Sequence, residues 1–265
     1  MATKQSPVRI IPKLEVKGPH LIKGIHLEGL RVVGTPEEAA LRYYREGADE
    51  LIYMDIVASL YQRENLLDVV RRTAERAFIP LTVGGGVRSL EDFRMFLRVG
   101  ADKVAMNTAV VTRPEVITEA AEAFGSQCVV VSIEAIRKGP GKWEPYTDSG
   151  RTPTGLDAVE WAVKAASLGA GEILLTSIDR DGTCKGYDLE LVEKVTRAVP
   201  IPVIASGGAG HPGHVGDAII KSHADAVAVA HILHFNKFTM TDIKNHLRSS
   251  GLAVREAPEP VARAS

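Results

Sequence analysis

The chain has 265 residues, a formal net charge of -1, 45% hydrophobic residues and 25% charged residues. These values exclude a disordered or collagen-like chain, and 32 basic against 33 acidic residues leave no excess positive charge for nucleic acid or an anionic membrane. No apolar run approaches the roughly 18 residues that span a bilayer, the N-terminus lacks an apolar signal core, and two cysteines are too few for a disulfide framework. We therefore expect a cytoplasmic protein.

Short β-branched runs alternate along the chain with longer amphipathic stretches. The runs predict strands at residues 8–16, 50–55, 81–83, 103–106, 128–134, 172–177, 203–205 and 226–230. The stretches between them predict helices at 36–46, 65–77, 90–99, 114–124, 155–168, 189–198, 212–222 and 239–250. Strands that are almost continuously apolar indicate a parallel sheet covered on both faces. A closed barrel and an open doubly wound sheet both fit this pattern.

An internal repeat favours the barrel. Residues 47–52 (GADELI) return as 169–174 (GAGEIL), 122 positions later, and 79–86 (IPLTVGGG) return as 201–208 (IPVIASGG) at the same offset. Two halves of four βα units each close naturally into an α/β fold of the (β/α)8 TIM-barrel type. We expect the barrel at residues 8–252, with unstructured ends at 1–7 and 253–265.

Glycine-rich turns follow corresponding strands in the two halves. Gly86 follows the third predicted strand and Asn107-Thr108 the fourth, while Ser206 and Gly208 follow the seventh and His231 the eighth. Glycines let backbone N–H groups approach an anion closely, and active sites of this fold lie at the carboxyl ends of the strands. The repetition predicts two phosphate sites at one barrel mouth, and hence a ligand with two phosphates.

Two glutamates end strands that face each other across the predicted barrel. Glu15 ends the first strand and Glu134 the fifth, which suggests a general acid and a general base between the phosphate sites. Further polar residues at strand ends or in the adjoining loops are candidates for substrate binding: Lys23, Asp55, Thr176, Asp181 and Gly182.

Several segments resemble the cyclase subunit of imidazole glycerol phosphate synthase. They are 8–12 (VRIIP), 84–87 (GGGV), 101–104 (ADKV), 107–109 (NTA), 124–127 (FGSQ), 169–182 (GAGEILLTSIDRDG) and 205–210 (ASGGAG). The resemblance covers roughly residues 8–252. A sister isomerase of histidine biosynthesis shares the barrel, the duplication and a similar RDG segment.

The resemblance implies an enzyme without metal or organic cofactor that works as a heterodimer with a glutaminase subunit. Ammonia from the glutaminase would react with a bis-phosphorylated aminoimidazole carboxamide ribonucleotide, giving imidazole glycerol phosphate and an aminoimidazole nucleotide (AICAR). The ammonia would enter through a ring of charged residues at the barrel's other end, which here is Arg9, Glu50, Lys103 and Glu172. Asp102 would lie on the face that docks the glutaminase.

The chain departs from the family at functional positions. The family's two catalytic residues are aspartates, where this chain has Glu15 and Glu134; Lys13 stands at a position that is usually cysteine, and His231 at one that is usually serine. Positions 13 and 15 point to the same face of a strand, so Lys13 is expected to pair with Glu15. Two alternatives stay open: a paralogue that channels ammonia to a sugar-amidating enzyme, and a non-catalytic activator of a glutaminase. The sister isomerase is a further alternative, but it needs no ammonia gate.

Overall fold

Eight parallel strands pair side by side until the last meets the first, which closes a barrel. The structure, a computed structural model, describes residues 7–56 and 60–256. Strands β1 (Arg9–Lys17), β2 (His20–Ile25), β3 (Glu28–Gly34), β4 (Leu51–Asp55), β5 (Leu81–Gly84), β6 (Lys103–Met106), β7 (Val129–Gly139), β8 (Lys142–Thr147), β9 (Thr152–Pro153), β10 (Glu172–Ser177), β11 (Val203–Ser206) and β12 (Ala226–Val229) occur in this order. The barrel order is β1, β4, β5, β6, β7, β10, β11 and β12. The predicted (β/α)8 barrel is confirmed.

Helices connect the barrel strands and cover the outside of the sheet. They are α1 (Pro36–Arg45), α2 (Leu60–Ala74), α3 (Leu90–Arg98), α4 (Thr108–Thr112), α5 (Glu115–Phe124), α6 (Ala158–Ser167), α7 (Leu189–Ala198), α8 (Pro212–Ile220), α9 (His231–His234) and α10 (Met240–Ser249). Helix α3 begins with a capping box between Ser89 and Asp92, which satisfies backbone N–H groups that the first turn leaves free. The predicted 65–77 helix is shifted, since α2 begins at Leu60.

Alternation along each strand separates two apolar layers. On β1, Ile10 and Leu14 face the helices, whereas Ile11 packs inside the barrel with residues of other strands. Arg9, Lys13 and Glu15 share the parity of Ile11. Because a strand rises about 3.3 Å per residue, β1 carries inward-facing groups over about 20 Å, from one end of the barrel to the other. The charged groups therefore lie at the two ends of an apolar interior.

Two antiparallel additions were not predicted. A hairpin of β2 and β3 pairs with β1 in the first βα connection, and β8 with β9 extends β7 after the fifth barrel strand. The β3 segment is mostly exposed and interrupted by Gly29 and Gly34, so its sequence resembles a loop. The expectation of one strand per unit was incomplete at these two places, and both additions lie over the barrel mouth.

The folded region extends past residue 252, the predicted end of the barrel. Val8 donates its backbone N–H to Ala253 (2.9 Å) and forms a parallel bridge with Val254. Buried Lys244 donates to the Arg255 carbonyl at 3.0 Å and to Asp49 at 2.8 Å. Hydrogen bonds to the backbone thus hold residues that composition assigned to the tail. The predictions for residues 1–6 and 257–265 lie outside the described residues.

Candidate active site

A cavity at the barrel mouth is framed by residues that the sequence singled out. It is named the larger cavity, by comparison with a small one on the side of the second repeat. Its volume is about 510 Å³, within the range of small-molecule sites. Six predicted residues line it: Glu15, Asp55, Gly86, Asn107, Thr108 and Glu134. The two glutamates, 119 positions apart in sequence, therefore face one space.

The smaller cavity lies on the side of the second repeat. It too is lined by predicted residues: Lys23, Asp181, Gly182, Ser206, Gly208 and His231. Its volume of about 20 Å³ holds roughly one water molecule, so a phosphate enters only if a neighbouring side chain moves. Thr176 lines neither cavity, although it pairs in register with Glu134 on β7.

Two repeat-related glycines show why these turns need glycine. Gly85 has φ +95° and Gly207 has φ +92°. A Cβ at Gly85 would lie 2.0 Å from the carbonyl oxygen of Asp55, and one at Gly207 would lie 2.7 Å from that of Ser177. Only glycine lets the turn pack against the end of the preceding barrel strand. The two turns therefore share a positive φ angle at this position.

Part of the site comes from the unpredicted β8–β9 addition. Asp148 and Ser149 line the larger cavity, and both have positive φ angles in the turn that joins β8 to β9. Asp148 donates its backbone N–H to Thr108 (3.2 Å), and Ser149 donates its hydroxyl to the Ile56 carbonyl (3.2 Å). The Asp-Ser-Gly sequence is a turn signal that could have located this segment, though not its place over the mouth.

Glu15 lies in a buried network with two lysines and Asp181. Lys23 Nζ donates to both Glu15 oxygens (3.1 and 2.9 Å) and to both Asp181 oxygens (3.0 and 2.9 Å). Lys13 Nζ lies 3.4 Å from Glu15 Oε1, in line with the expected pairing. Burial alone would raise the pKa of Glu15, but the ammonium groups of Lys23 and Lys13 outweigh it and hold that pKa well below its usual range. Glu15 is therefore ionised.

Glu134 has the opposite environment. Its Oε2 is buried and has no hydrogen-bond partner among the described residues. Burial raises the pKa of Glu134 to about 7; Lys13 opposes this shift, while Glu15 and Asp181 add to it. One carboxylate and one carboxylic acid can thus share the mouth at neutral pH, as one proton acceptor and one proton donor require.

The β2–β3 hairpin is held over this network. His26 donates its backbone N–H to the Asp181 carbonyl (3.0 Å), and the His26 ring contacts the Ile178 carbonyl (2.8 Å). Lys23, on the same hairpin, is 2% exposed. The hairpin therefore delivers Lys23 into the site and screens Glu15 from water.

Histidine 231 adds a ring to the smaller cavity. Its Nε2 lies 3.2 Å from Lys237 Nζ, while its buried Nδ1 has no hydrogen-bond partner in the part of the chain described. Burial lowers the pKa of His231, and the nearby Lys237 and Lys23 lower it further. A neutral imidazole is thus expected beside this cavity at neutral pH.

Four alternating charges close the other end of the barrel. Arg9 pairs with Glu50 (2.8 Å) and with Glu172, and Lys103 pairs with the same two carboxylates at 3.0 and 2.9 Å. Each cation bridges both anions, so the ring is neutral and continuous across the barrel axis. The four residues predicted as a gate lie together, at the end opposite Glu15 and Glu134.

Two further features bear on the type of site. Within residues 7–56 and 60–256, no group of three or more His, Cys, Asp or Glu side chains is placed to hold a metal ion. Over the same ranges, no helix has the length and apolar character needed to cross a membrane.

Comparison with known proteins identifies the family of this chain and agrees with the barrel fold. A family model described as "Histidine biosynthesis protein" matches residues 9–239. The chain is also similar to "Imidazole glycerol phosphate synthase subunit HisF" of Legionella pneumophila, with 62% identity over 205 residues, covering 77% of this chain and 97% of that protein. The chain belongs to the histidine biosynthesis protein family.

Proposed function

We propose that this protein is the cyclase subunit of imidazole glycerol phosphate synthase, a lyase of histidine biosynthesis. It would use ammonia to convert the bis-phosphorylated aminoimidazole carboxamide ribonucleotide to imidazole glycerol phosphate and AICAR. The 62% identity to a HisF subunit supports this activity. The observation that carries the proposal for the site is that Glu15 and Glu134 line one cavity at the barrel mouth. The neighbouring lysines hold the pKa of Glu15 low, whereas burial raises the pKa of Glu134.

The two cavities would hold the two ends of the substrate. Gly86, Asn107 and Thr108 would bind one phosphate in the larger cavity. Gly182, Gly208 and the backbone at His231 would bind the other once a side chain moves aside. The reacting carbons would then lie near Glu15 and Glu134, with Asp55, Thr176, Asp181 and Ser206 around them.

The two glutamates would divide the proton transfers. Ionised Glu15 would accept a proton from the nitrogen that ammonia supplies, and protonated Glu134 would donate one to the departing aminoimidazole nucleotide. Lys23 would hold Glu15 in place while the hairpin excludes water. If Glu134 acts as the acid, kcat should fall as the pH rises through about 7.

The charged ring and the barrel interior would form the ammonia path. A glutaminase subunit would dock at the end where Arg9, Glu50, Lys103 and Glu172 lie, and Asp102 lies on that side of the barrel. We also propose that the protein forms a heterodimer with the glutaminase subunit and is located in the cytoplasm. Ammonia would pass the ring only when one of its ion pairs opens.

Opening the charged ring permanently should uncouple glutamine hydrolysis in the glutaminase from product formation in the barrel. We expect Arg9→Ala to reduce the amount of product formed per glutamine hydrolysed, because ammonia then leaks from the junction of the subunits. Turnover with ammonium salts should change little, because ammonia also enters from the mouth. The measurement compares both assays with Arg94→Ala, which removes an exposed pair with Glu91. Equal loss in both assays would argue against a gate.

A direct assay tests the proposed activity. Purified protein, ammonium ion and the bis-phosphate substrate are mixed, and imidazole glycerol phosphate is measured by mass spectrometry. Product formation, together with growth of a histidine auxotroph, would support the proposal. A chain that stimulates a glutaminase but yields no product with ammonium ion would instead be an activator or would channel ammonia to another acceptor.

A further inference from the structure

Lys13 has an unusual place for a lysine. It lies on β1 two residues before Glu15, with Ile11 below it in the apolar interior, and is 5% exposed. A lysine so deeply buried is rare unless it is paired or used for function. Its position therefore needs a partner that compensates for the buried charge.

Lys13 is common to both cavities. Of the described residues that line the larger and the smaller cavity, Lys13 is the one shared by the two. A ligand that extends from one cavity to the other must therefore pass its side chain. The Lys13 side chain would therefore lie beside the middle of such a ligand and away from both ends.

Glu15 leaves much of the hydrogen-bonding capacity of Lys13 unused. Lys23 already contacts both Glu15 oxygens at 2.9 to 3.1 Å. Lys13 Nζ approaches at 3.4 Å, which is beyond the usual range of about 2.7–3.2 Å for N–H···O bonds. An ammonium group has three donors, so Lys13 retains donors for an acceptor that enters the mouth.

Two buried hydrogen bonds through His234 hold the backbone at Lys13. His234 Nε2 lies 3.1 Å from the Lys13 carbonyl, and its Nδ1 lies 2.7 Å from the Tyr43 hydroxyl. Burial lowers the pKa of His234 to about 4, so the ring is neutral. Nε2 then donates to the carbonyl and Nδ1 accepts from Tyr43. This arrangement fixes where the Lys13 side chain starts.

We infer that Lys13 is a substrate-binding residue, whose ammonium group donates hydrogen bonds to hydroxyl or carbonyl oxygens midway between the two phosphates. This inference rests on the proposed function, because it needs a ligand that spans both cavities. A cysteine at this position could not supply such a charged donor. Lys13 thus acts on the ligand directly, in addition to stabilising the Glu15 carboxylate.

The test distinguishes contacts to the middle of the ligand from contacts to its phosphate groups. Isothermal titration without ammonia compares the bis-phosphate substrate and inorganic phosphate on the wild type, Lys13→Met and Lys13→Arg. Loss of one charge-assisted contact should weaken bis-phosphate binding about tenfold or more in Lys13→Met. Affinity for inorganic phosphate should stay within about twofold, since backbone groups bind it, and Lys13→Arg should restore most of the bis-phosphate affinity.

Lys17→Met is the matched control, because Lys17 ends the same strand and is exposed. Unchanged bis-phosphate affinity in folded Lys13→Met would overturn the inference and leave Lys13 as a partner of Glu15 alone. If Lys13→Met does not fold, Lys13→Gln gives the same comparison with a polar end. The proposed function fails separately, if wild-type protein binds the bis-phosphate but forms no product with ammonium ion.

Discussion

Glu134→Gln is expected to lower the ammonia-dependent kcat by about 10²–10⁴-fold, the usual contribution of general acid–base catalysis. The amide keeps the size of the side chain but cannot donate the proton that Glu134 carries at a pKa of about 7. Affinity for inorganic phosphate should be unchanged, since the residues proposed to bind phosphate in this cavity are Gly86, Asn107 and Thr108 and do not include Glu134. Steady-state kinetics with ammonium salts and isothermal titration measure the two quantities.

Glu134→Asp is the matched control for this variant. It restores the acid with a side chain shorter by one carbon, so partial activity is expected. The resemblance places an aspartate at this position in the family. Wild-type turnover by the Gln variant would remove Glu134 from the proton transfers.

Glu134→Gln should affect stability in the opposite direction from activity. Folding raises the pKa of Glu134 from 4.5 to about 7, so the folded state binds the proton more tightly than the unfolded state does. The folded state therefore loses stability as pH rises from about 4.5 through 7. At pH 8, Glu134→Gln should raise the free energy of unfolding, by an amount on the order of 1–3 kcal/mol. Urea denaturation at pH 4 and pH 8 measures this difference.

Glu15→Gln should abolish turnover and also destabilise the protein. Removing the carboxylate leaves buried Lys23 with Asp181 as its remaining carboxylate and deprives Lys13 of its neighbour. Breaking a buried ion pair in this way costs about 3–5 kcal/mol. The expected loss in free energy of unfolding is of that order near neutral pH, measured by urea denaturation.

The pH dependence of this loss has a defined sign. Because folding lowers the pKa of Glu15, its stabilising contribution is present above about pH 4.5 and is lost as the pH falls below that value. The difference between wild type and Glu15→Gln should therefore shrink in acid. Asp68→Asn, which removes an exposed pair with Arg71, is the control and should change stability by less than about 1 kcal/mol. Glu15→Gln as stable as the wild type at neutral pH would show that Glu15 does not stabilise the fold through Lys23 and Lys13.

Much of the barrel and of its mouth follows from local patterns. The repeat of glycine turns places Gly86 and Gly208 at one end of the barrel, and strand alternation puts Lys13 beside Glu15. These inferences need only the alternation along each strand and the duplication, and both can be read directly from the sequence. The two hairpins were not predictable in this way, because β3 is largely exposed and contains glycines that weaken the strand pattern.

The difference in pKa between the two glutamates also could not be predicted from the sequence. Glu15 and Glu134 look equivalent as strand ends, and their environments are set by distant segments. Lys23 reaches Glu15 only because the β2–β3 hairpin folds back. The small volume beside His231 likewise depends on side-chain positions that no spacing rule gives.

Carbon NMR of labelled glutamate carboxyl groups would measure whether the two glutamates at one mouth have separated pKa values. Assignment by the Glu15→Gln and Glu134→Gln variants identifies each signal in a pH titration. We expect Glu134 to titrate near pH 7 and Glu15 to stay ionised well below pH 4.5. Titration of both groups together near pH 4.5 would show that the barrel does not separate their pKa values.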